Sequence, residues 1–566
     1  MSVDLRTGLE VTAADGVRLA TELTLPRAGG PWPIVLLRTY LGTTSHRQEA
    51  AGWARHGFGC MVQDVRGRYD SGGDWRPYET ERGDGRAAVE WVLAQPWCDG
   101  RVAAVGGSYA AFAAWSAALA HPAVRAVISA VPAMRPLPLQ PEEGGVFPLL
   151  SRLCWSSTHA GVRRARELSP EQMLEQAGDA LIQLPVADLP RRLGLEIPGW
   201  RAGAEACETA ASATPGSDPI STSDLARLDV AALHVGGWHD PFCAETLHQF
   251  DCVGSAVTPR PPRALVLGPW WHRLGGHRPA RYGERDYGAA SRFALGNHQA
   301  EWLHRVLGDR QGSATSLRVF LGGDNRWLRP PSWTPRPRAV STFFVAGERM
   351  TEAPPRRGGS ASFDYDPRAP RPCRRTPIDE SGEAPRGDVV AFTSETLDRP
   401  RSVVGAPSVT LWGSTDAPSV DWVVRLLEVT ATGRRLYLAH GLVDARHALA
   451  RRGLRLEPGV AHEVEVRLSP VGITLPAGSR LRLEVTGSAF PSYARNLASG
   501  APRLTGTQMG AARQSVHWGP EHPTSLCLPV HVEIAASSDR AGVMLATASP
   551  SESWPASSPN SRPRSL

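Results

Sequence analysis

The chain contains no lysine. All 62 of its Lys-plus-Arg residues are arginine, among 566 residues with a net charge of +6. A nucleic-acid-binding surface gathers basic side chains on one face. Here the arginines are dispersed, with one local excess in "PPRRGGSASFDYDPRAPRPCRR". The pattern reads as a compositional bias, and no nucleic-acid partner is expected. Cysteine is scarce too: eight residues, none in a C-x-x-C pair. That excludes the usual zinc and disulfide frameworks. No metal or other cofactor is expected. No apolar run approaches the roughly 18 residues of a membrane span. "MSVDLRTGLEVTAADG" lacks the basic and apolar regions of a signal peptide. A cytoplasmic protein without a membrane partner is the expectation; homo-oligomerisation is left open.

What is present has a clear order. "PIVLLR", "FGCMVQD", "RVAAVGG" and "RAVISAVPA" are short apolar runs that suit strands buried on both faces. Helical patterns such as "RGDGRAAVEWVLAQP" lie between them. This alternation predicts a mainly parallel sheet over 1–140. Residues 141–227 break the rhythm and read as a helical insertion. "SPEQMLEQAGDALIQL" is a predicted helix with Ser169 as N-cap and Glu171 in its first turn. Buried-strand character returns over 228–330 in "DVAALHVGGW" and "PRALVLGPWW", and "NHQAEWLHRVLGD" is a closing helix. Over 331–535 strands separated by Gly, Pro and Asp turns predict an all-β sandwich or jelly roll. Residues 536–566, rich in Ser and Pro, read as a disordered tail.

Within "RVAAVGGSYAAFAAW", Ser108 falls between a buried strand and a helix. Its surroundings approach the G-x-S-x-G nucleophile elbow, with Ala110 in place of the last glycine. A catalytic serine needs a general base and a group that orients the base. Asp240 in "GGWHDPF" and His272 in "LGPWWHRL" each follow a later apolar run, in the Ser–Asp–His order of such hydrolases. Taken singly, Asp240 before Pro241 also reads as a helix start, and His272 as a loop histidine. His277 is a weaker rival base. His239 and His234 sit at the wrong places relative to the strand ends.

At this point the chain resembles the cocaine-esterase-like hydrolases. That family also includes α-amino acid ester hydrolases, glutaryl acylases and Xaa-Pro dipeptidyl-peptidases. The resemblance rests on "VQDVRGRYDSGGDW", "VEWVLAQPWCDGRVAAVGGSYAAF", "GGWHDPF", "LVLGPWWH" and "PAGSRLRLEVTGSAFPSYARN". It implies an α/β-hydrolase core with a helical cap and a C-terminal jelly roll. It implies Ser108 as nucleophile, Asp240 as orienting carboxylate and His272 as base. The Tyr109 backbone N–H is then one oxyanion donor, and a tyrosine after the first buried strand the other. The family's Arg-x-Pro-Tyr is Arg38-Thr39-Tyr40-Leu41 here, without the proline. A gapless alignment would place Leu41; Tyr40 is favoured. Phe242 resembles an aromatic acyl-pocket wall, with Trp115 and Trp155 as further candidate walls. Glu142 and Glu143 could carry negative charge but read better as solvated loop residues.

The function expected is a serine esterase or acylase acting on a small-molecule ester or amide through an acyl-enzyme. An Xaa-Pro dipeptidyl-peptidase-like exopeptidase is the alternative. A catalytically inactive binding or scaffold member comes third.

Overall fold

The apolar runs of the first 330 residues assemble into one ten-stranded sheet. A computed structural model describes residues 3–134, 144–159, 170–210, 220–274, 277–308, 315–331, 333, 339–372, 376–383 and 386–530. The elements of this half are β1 (Val3–Thr12), β2 (Arg18–Pro26), β3 (Trp32–Thr39), α1 (Arg47–Arg55), β4 (Gly59–Asp64), α2 (Glu81–Leu93), β5 (Cys98–Gly107), α3 (Tyr109–Ala120) and β6 (Val124–Ala130). After them come α4 (Leu149–His159), α5 (Pro170–Ala177), α6 (Trp200–Ala210), β7 (Ala231–Gly237), α7 (Cys243–Cys252), β8 (Arg263–Gly268), α8 (Leu295–Leu307), β9 (Thr315–Leu321) and β10 (Arg326–Leu328). The strand order is β1-β2-β4-β3-β5-β6-β7-β8-β9-β10. Pairing is parallel from β4 through β9, with antiparallel strands at both edges.

All six residues of β4 and all seven of β7 are buried. Helices cover both faces of the sheet, which is why these strands read as continuous apolar runs. One core holds Ile34, Leu36, Met61, Val102, Ala104 and Phe112. The opposite core holds Val35, Leu37, Cys60, Val105, Ile128 and Leu303. The carboxyl ends of β5, β7 and β8 meet along one edge of the sheet. Gly107 pairs with Ala130, and Gly237 with Gly268. That edge is where open α/β sheets place their ligands.

Between β6 and β7 the described residues form no strand, and helices α4, α5 and α6 are the main elements there. The helix predicted in "SPEQMLEQAGDALIQL" is shorter than the pattern suggests. It is α-helical only to Ala177 and tightens to a 3₁₀ turn through Ile182, because Gly178 adopts φ 42°. Ser169, Glu142 and Glu143 lie outside the described residues. No helix among the described residues is long and apolar enough to cross a membrane.

The second half is all-β, with an eleven-stranded sheet and a two-stranded companion. Its core includes Phe363, Phe392, Trp422, Leu483 and Leu526. The "STDAPSVD" and "FPSYARN" stretches lock together here. Asn496 donates to Asp421 Oδ1 at 3.0 Å and accepts from Ser419 Oγ at 2.9 Å. The same loop supports the helical segment: Ala494 N–H donates to the Phe147 carbonyl, and Ala187 N–H to Leu504, both at 2.8 Å. Ala494 and Leu504 join the apolar cluster of α4, α5 and α6. The tail expected over 536–566 lies outside the described residues.

Candidate active site

Ser108 sits at φ 57°, ψ −126°, between the end of β5 and the start of α3. This is a costly conformation for a residue with a Cβ. It persists because the turn is held on both sides. Ser108 N–H donates to Ala130 O at 2.9 Å, and Ser108 O accepts from Ala111 and Ala133. Space is tightest at Gly106, where a Cβ would lie 2.1 Å from the Ala110 carbonyl oxygen. Gly107 has room, its nearest neighbour in that direction being Ala130 O at 3.8 Å. Glycine is therefore demanded two residues before the serine. The position two residues after it contributes backbone to the close approach, so the methyl group of Ala110 is accommodated.

The strand-end residues converge on Ser108. Its hydroxyl donates to His272 Nε2 at 3.1 Å, and His272 Nδ1–H donates to Asp240 Oδ1 at 2.8 Å. The Asp240 carboxylate is wholly buried, whereas the His272 side chain is 41% exposed. The carboxylate is thus shielded while the imidazole stays open to a substrate. Asp240 Oδ2 has no hydrogen-bond partner among the described residues. The other histidines are placed elsewhere. His239 stacks on Tyr282 and meets the Tyr287 hydroxyl at 2.7 Å. His234 is buried between Trp115 and Phe250. Desolvation holds both at a pKa of about 3, so each is neutral.

Tyr40 follows directly on β3 and is buried, with its phenol close enough to Ser108 to interact with it. Leu41 is 36% exposed. The turn that separates them is closed by Thr39 Oγ1, which accepts the Leu41 N–H at 3.0 Å. Burial raises the Tyr40 pKa, so the phenol stays a neutral donor. Tyr109 is the first residue of α3, and its N–H has no partner within the helix. Its own hydroxyl points away from Ser108 and donates to Glu81.

The three aromatic candidates separate. The Phe242 ring lies 5.2 Å from His272, at the mouth of the site. Trp155 projects from α4 next to His159, whose ring is 4.8 Å from that of Tyr40. Contrary to the expectation of a pocket wall, Trp115 is a core residue and does not line the site. It is fully buried on α3, and its indole N–H meets Ser129 and Gln249 at 3.1 and 3.0 Å.

Arg68 and His159 were not anticipated. The Arg68 guanidinium is fully buried and donates to Tyr40 O at 3.1 Å, His159 O at 2.9 Å and His159 Nδ1 at 3.3 Å. Burial and the adjacent Arg68 charge hold His159 at a pKa of about 3. Arg68 lies in the quoted "VQDVRGRYDSGGDW", which was the available signal; nothing in the sequence marks His159.

Residues 15–273 match the X-Pro dipeptidyl-peptidase (S15 family), and residues 305–527 match the X-Pro dipeptidyl-peptidase C-terminal non-catalytic domain. Cocaine esterase of Rhodococcus sp. (strain MB1 Bresler) is 28% identical over 578 residues, spanning 92% of this chain and 97% of that protein. The fold also resembles an aminopeptidase from a marine sediment Thaumarchaeota archaeon, with TM-score 0.81 and 22% identity over 93% and 96% of the two chains. A selenomethionine-labelled α-amino acid ester hydrolase superposes with TM-score 0.79 and 22% identity, covering 94% and 97%.

Proposed function

This chain carries the S15-family domain together with that family's C-terminal domain and so belongs with the S15-type hydrolases; on that premise we propose that it is a serine hydrolase cleaving an ester or amide of a small acyl compound. The observation that carries the reading is the continuous hydrogen-bond path from Ser108 through His272 to a shielded Asp240.

In this reading Ser108 Oγ attacks the substrate carbonyl and His272 Nε2 takes its proton. Asp240 holds the imidazole in the required tautomer and stabilises the imidazolium. His272 then returns the proton to the leaving group. Water, deprotonated by the same imidazole, hydrolyses the acyl-enzyme. The oxyanion meets the Tyr109 N–H and the Tyr40 hydroxyl. Both donors are in place before the charge develops, which is what gives such a site its catalytic value. The strained Ser108 backbone keeps the hydroxyl clear of the sheet edge.

A fluorophosphonate probe tests this. Wild-type protein is expected to label and Ser108→Ala is not. Labelling of both, or of neither, would overturn the assignment, and failure to label would favour the inactive scaffold. Turnover of p-nitrophenyl acyl esters against Xaa-Pro p-nitroanilides then separates esterase from exopeptidase. Preference for the esters is expected.

A further inference from the structure

Helix α4 presents a row of side chains that leads away from the nucleophile. Arg152, Trp155 and His159 recur at i, i+3 and i+7, the spacing of one helix face. The His159 ring meets Tyr40, whose phenol lies beside Ser108. Trp155 lies 5.4 Å from His159, and the Arg152 guanidinium stands 5.7 Å over the Trp155 ring. Arg68 ties the last carbonyl of α4 to the backbone of Tyr40, so the row is held against the site. Arg152 is also within electrostatic reach of Tyr78, whose ring packs 4.9 Å from Tyr109 and 4.7 Å from Phe112. Two routes from Ser108, through Tyr40 and through Tyr109, thus end at one guanidinium.

That guanidinium has no carboxylate or hydrogen-bond acceptor among the described residues. Other arginines with little exposure do find one: Arg66 pairs with Asp15 and Asp84, Arg371 with Glu484, and Arg425 with Glu380. Burial lowers the Arg152 pKa. Arg152 is only half-buried, but a guanidinium cannot shed its proton to escape the cost of that partial desolvation, and an anion would offset it. Trp155 and Tyr78 give aromatic surface near the guanidinium, and Phe242 gives more beside His272.

We propose that Arg152 binds a carboxylate on the substrate, so that the compound cleaved at Ser108 joins an apolar body to one anionic end. This rests on the reading of Ser108 given above. The carboxylate can lie on the acyl side or on the leaving group, and two matched pairs distinguish them. The first pair is the p-nitrophenyl monoester of adipic acid and the same ester with its free carboxyl converted to a carboxamide. The second is meta-acetoxybenzoate and meta-acetoxybenzamide. In at least one pair kcat/KM is expected to favour the anion by about 10- to 100-fold, the range of a charge-assisted contact. Arg152→Met should bring that ratio to about one, and Arg152→Lys should retain part of it. If Arg152→Met fails to fold, seen as lost phosphonate labelling, Arg152→Gln is read by the same ratio. A wild-type ratio at or below one in both pairs overturns the proposal, as does a ratio that survives Arg152→Met. Should the neutral esters also go unhydrolysed and Ser108 unlabelled, the nucleophile assignment fails as well. Turnover of neutral esters without charge preference removes the carboxylate site alone.

Discussion

The β-domain and the edge of the hydrolase sheet both bury charged groups, and they treat them in opposite ways. In the β-domain opposite charges meet. Arg503 bridges Asp421 at 2.6 Å and Asp444 at 2.9 Å, and Arg425 lies between Glu380 at 2.6 Å and Glu484 at 3.0 Å. Around Ser108 they are kept apart. Asp240 receives one bond from an imidazole, with Oδ2 left over, and Arg152 meets no carboxylate among the described residues. A paired buried charge holds strands together; a charge left open, like the buried Asp240 Oδ2 or the half-buried Arg152 guanidinium, is available to chemistry. The difference assigns architecture to one region and reactivity to the other.

Four measurements test that contrast. Asp240→Asn should have the largest effect, lowering kcat about 10⁴-fold by presenting the wrong His272 tautomer, with little change in melting temperature. A comparable loss of stability would make Asp240 a structural residue. Arg503→Met should do the reverse. It leaves Asp421 and Asp444 buried and unneutralised, at a cost of about 3–5 kcal/mol in denaturant unfolding. An unchanged unfolding midpoint would remove the architectural reading of the cluster. Tyr40→Phe should lower kcat by about 10²-fold, the loss of one oxyanion donor. Turnover close to wild type would mean that the hydroxyl is not used.

The smallest expected effect concerns pH. Desolvation pushes Asp64 up to about 6 from 3.8. Between those values the folded chain holds a proton that the unfolded chain has released. The associated stability is present below the unfolded pKa and is lost as pH rises through about 6. Asp64→Asn should flatten the fall in unfolding midpoint across that window. An unaltered slope would show that other groups carry it.

The strands and the candidate triad were legible for the same reason. β5 and β7 are apolar runs that stop at paired glycines, β8 stops at a single one, and Ser108, Asp240 and His272 follow those stops within a few residues. A hydrophobic run and a sharp turn are local features, so a linear reading finds them. Nothing in the sequence around Trp115 tells which side of α3 faces the sheet. The indole turned to Gln249, a residue 134 positions away. Arg68 and His159 meet across 91 positions and Arg152 reaches Tyr78 across a comparable gap. Such contacts carry no period and no spacing.

By itself the sequence determined the order of layers, the strand ends that could bear chemistry and the family resemblance, because each depends on neighbouring residues. Only the tertiary structure decided that Tyr40 and not Leu41 turns toward Ser108. It alone decided that the crowded glycine is Gly106, and that Arg68 ties Tyr40 to α4. Those outcomes depend on which surfaces close-pack and which polar groups find partners. Packing and hydrogen bonding are settled between segments that meet only when the chain is folded.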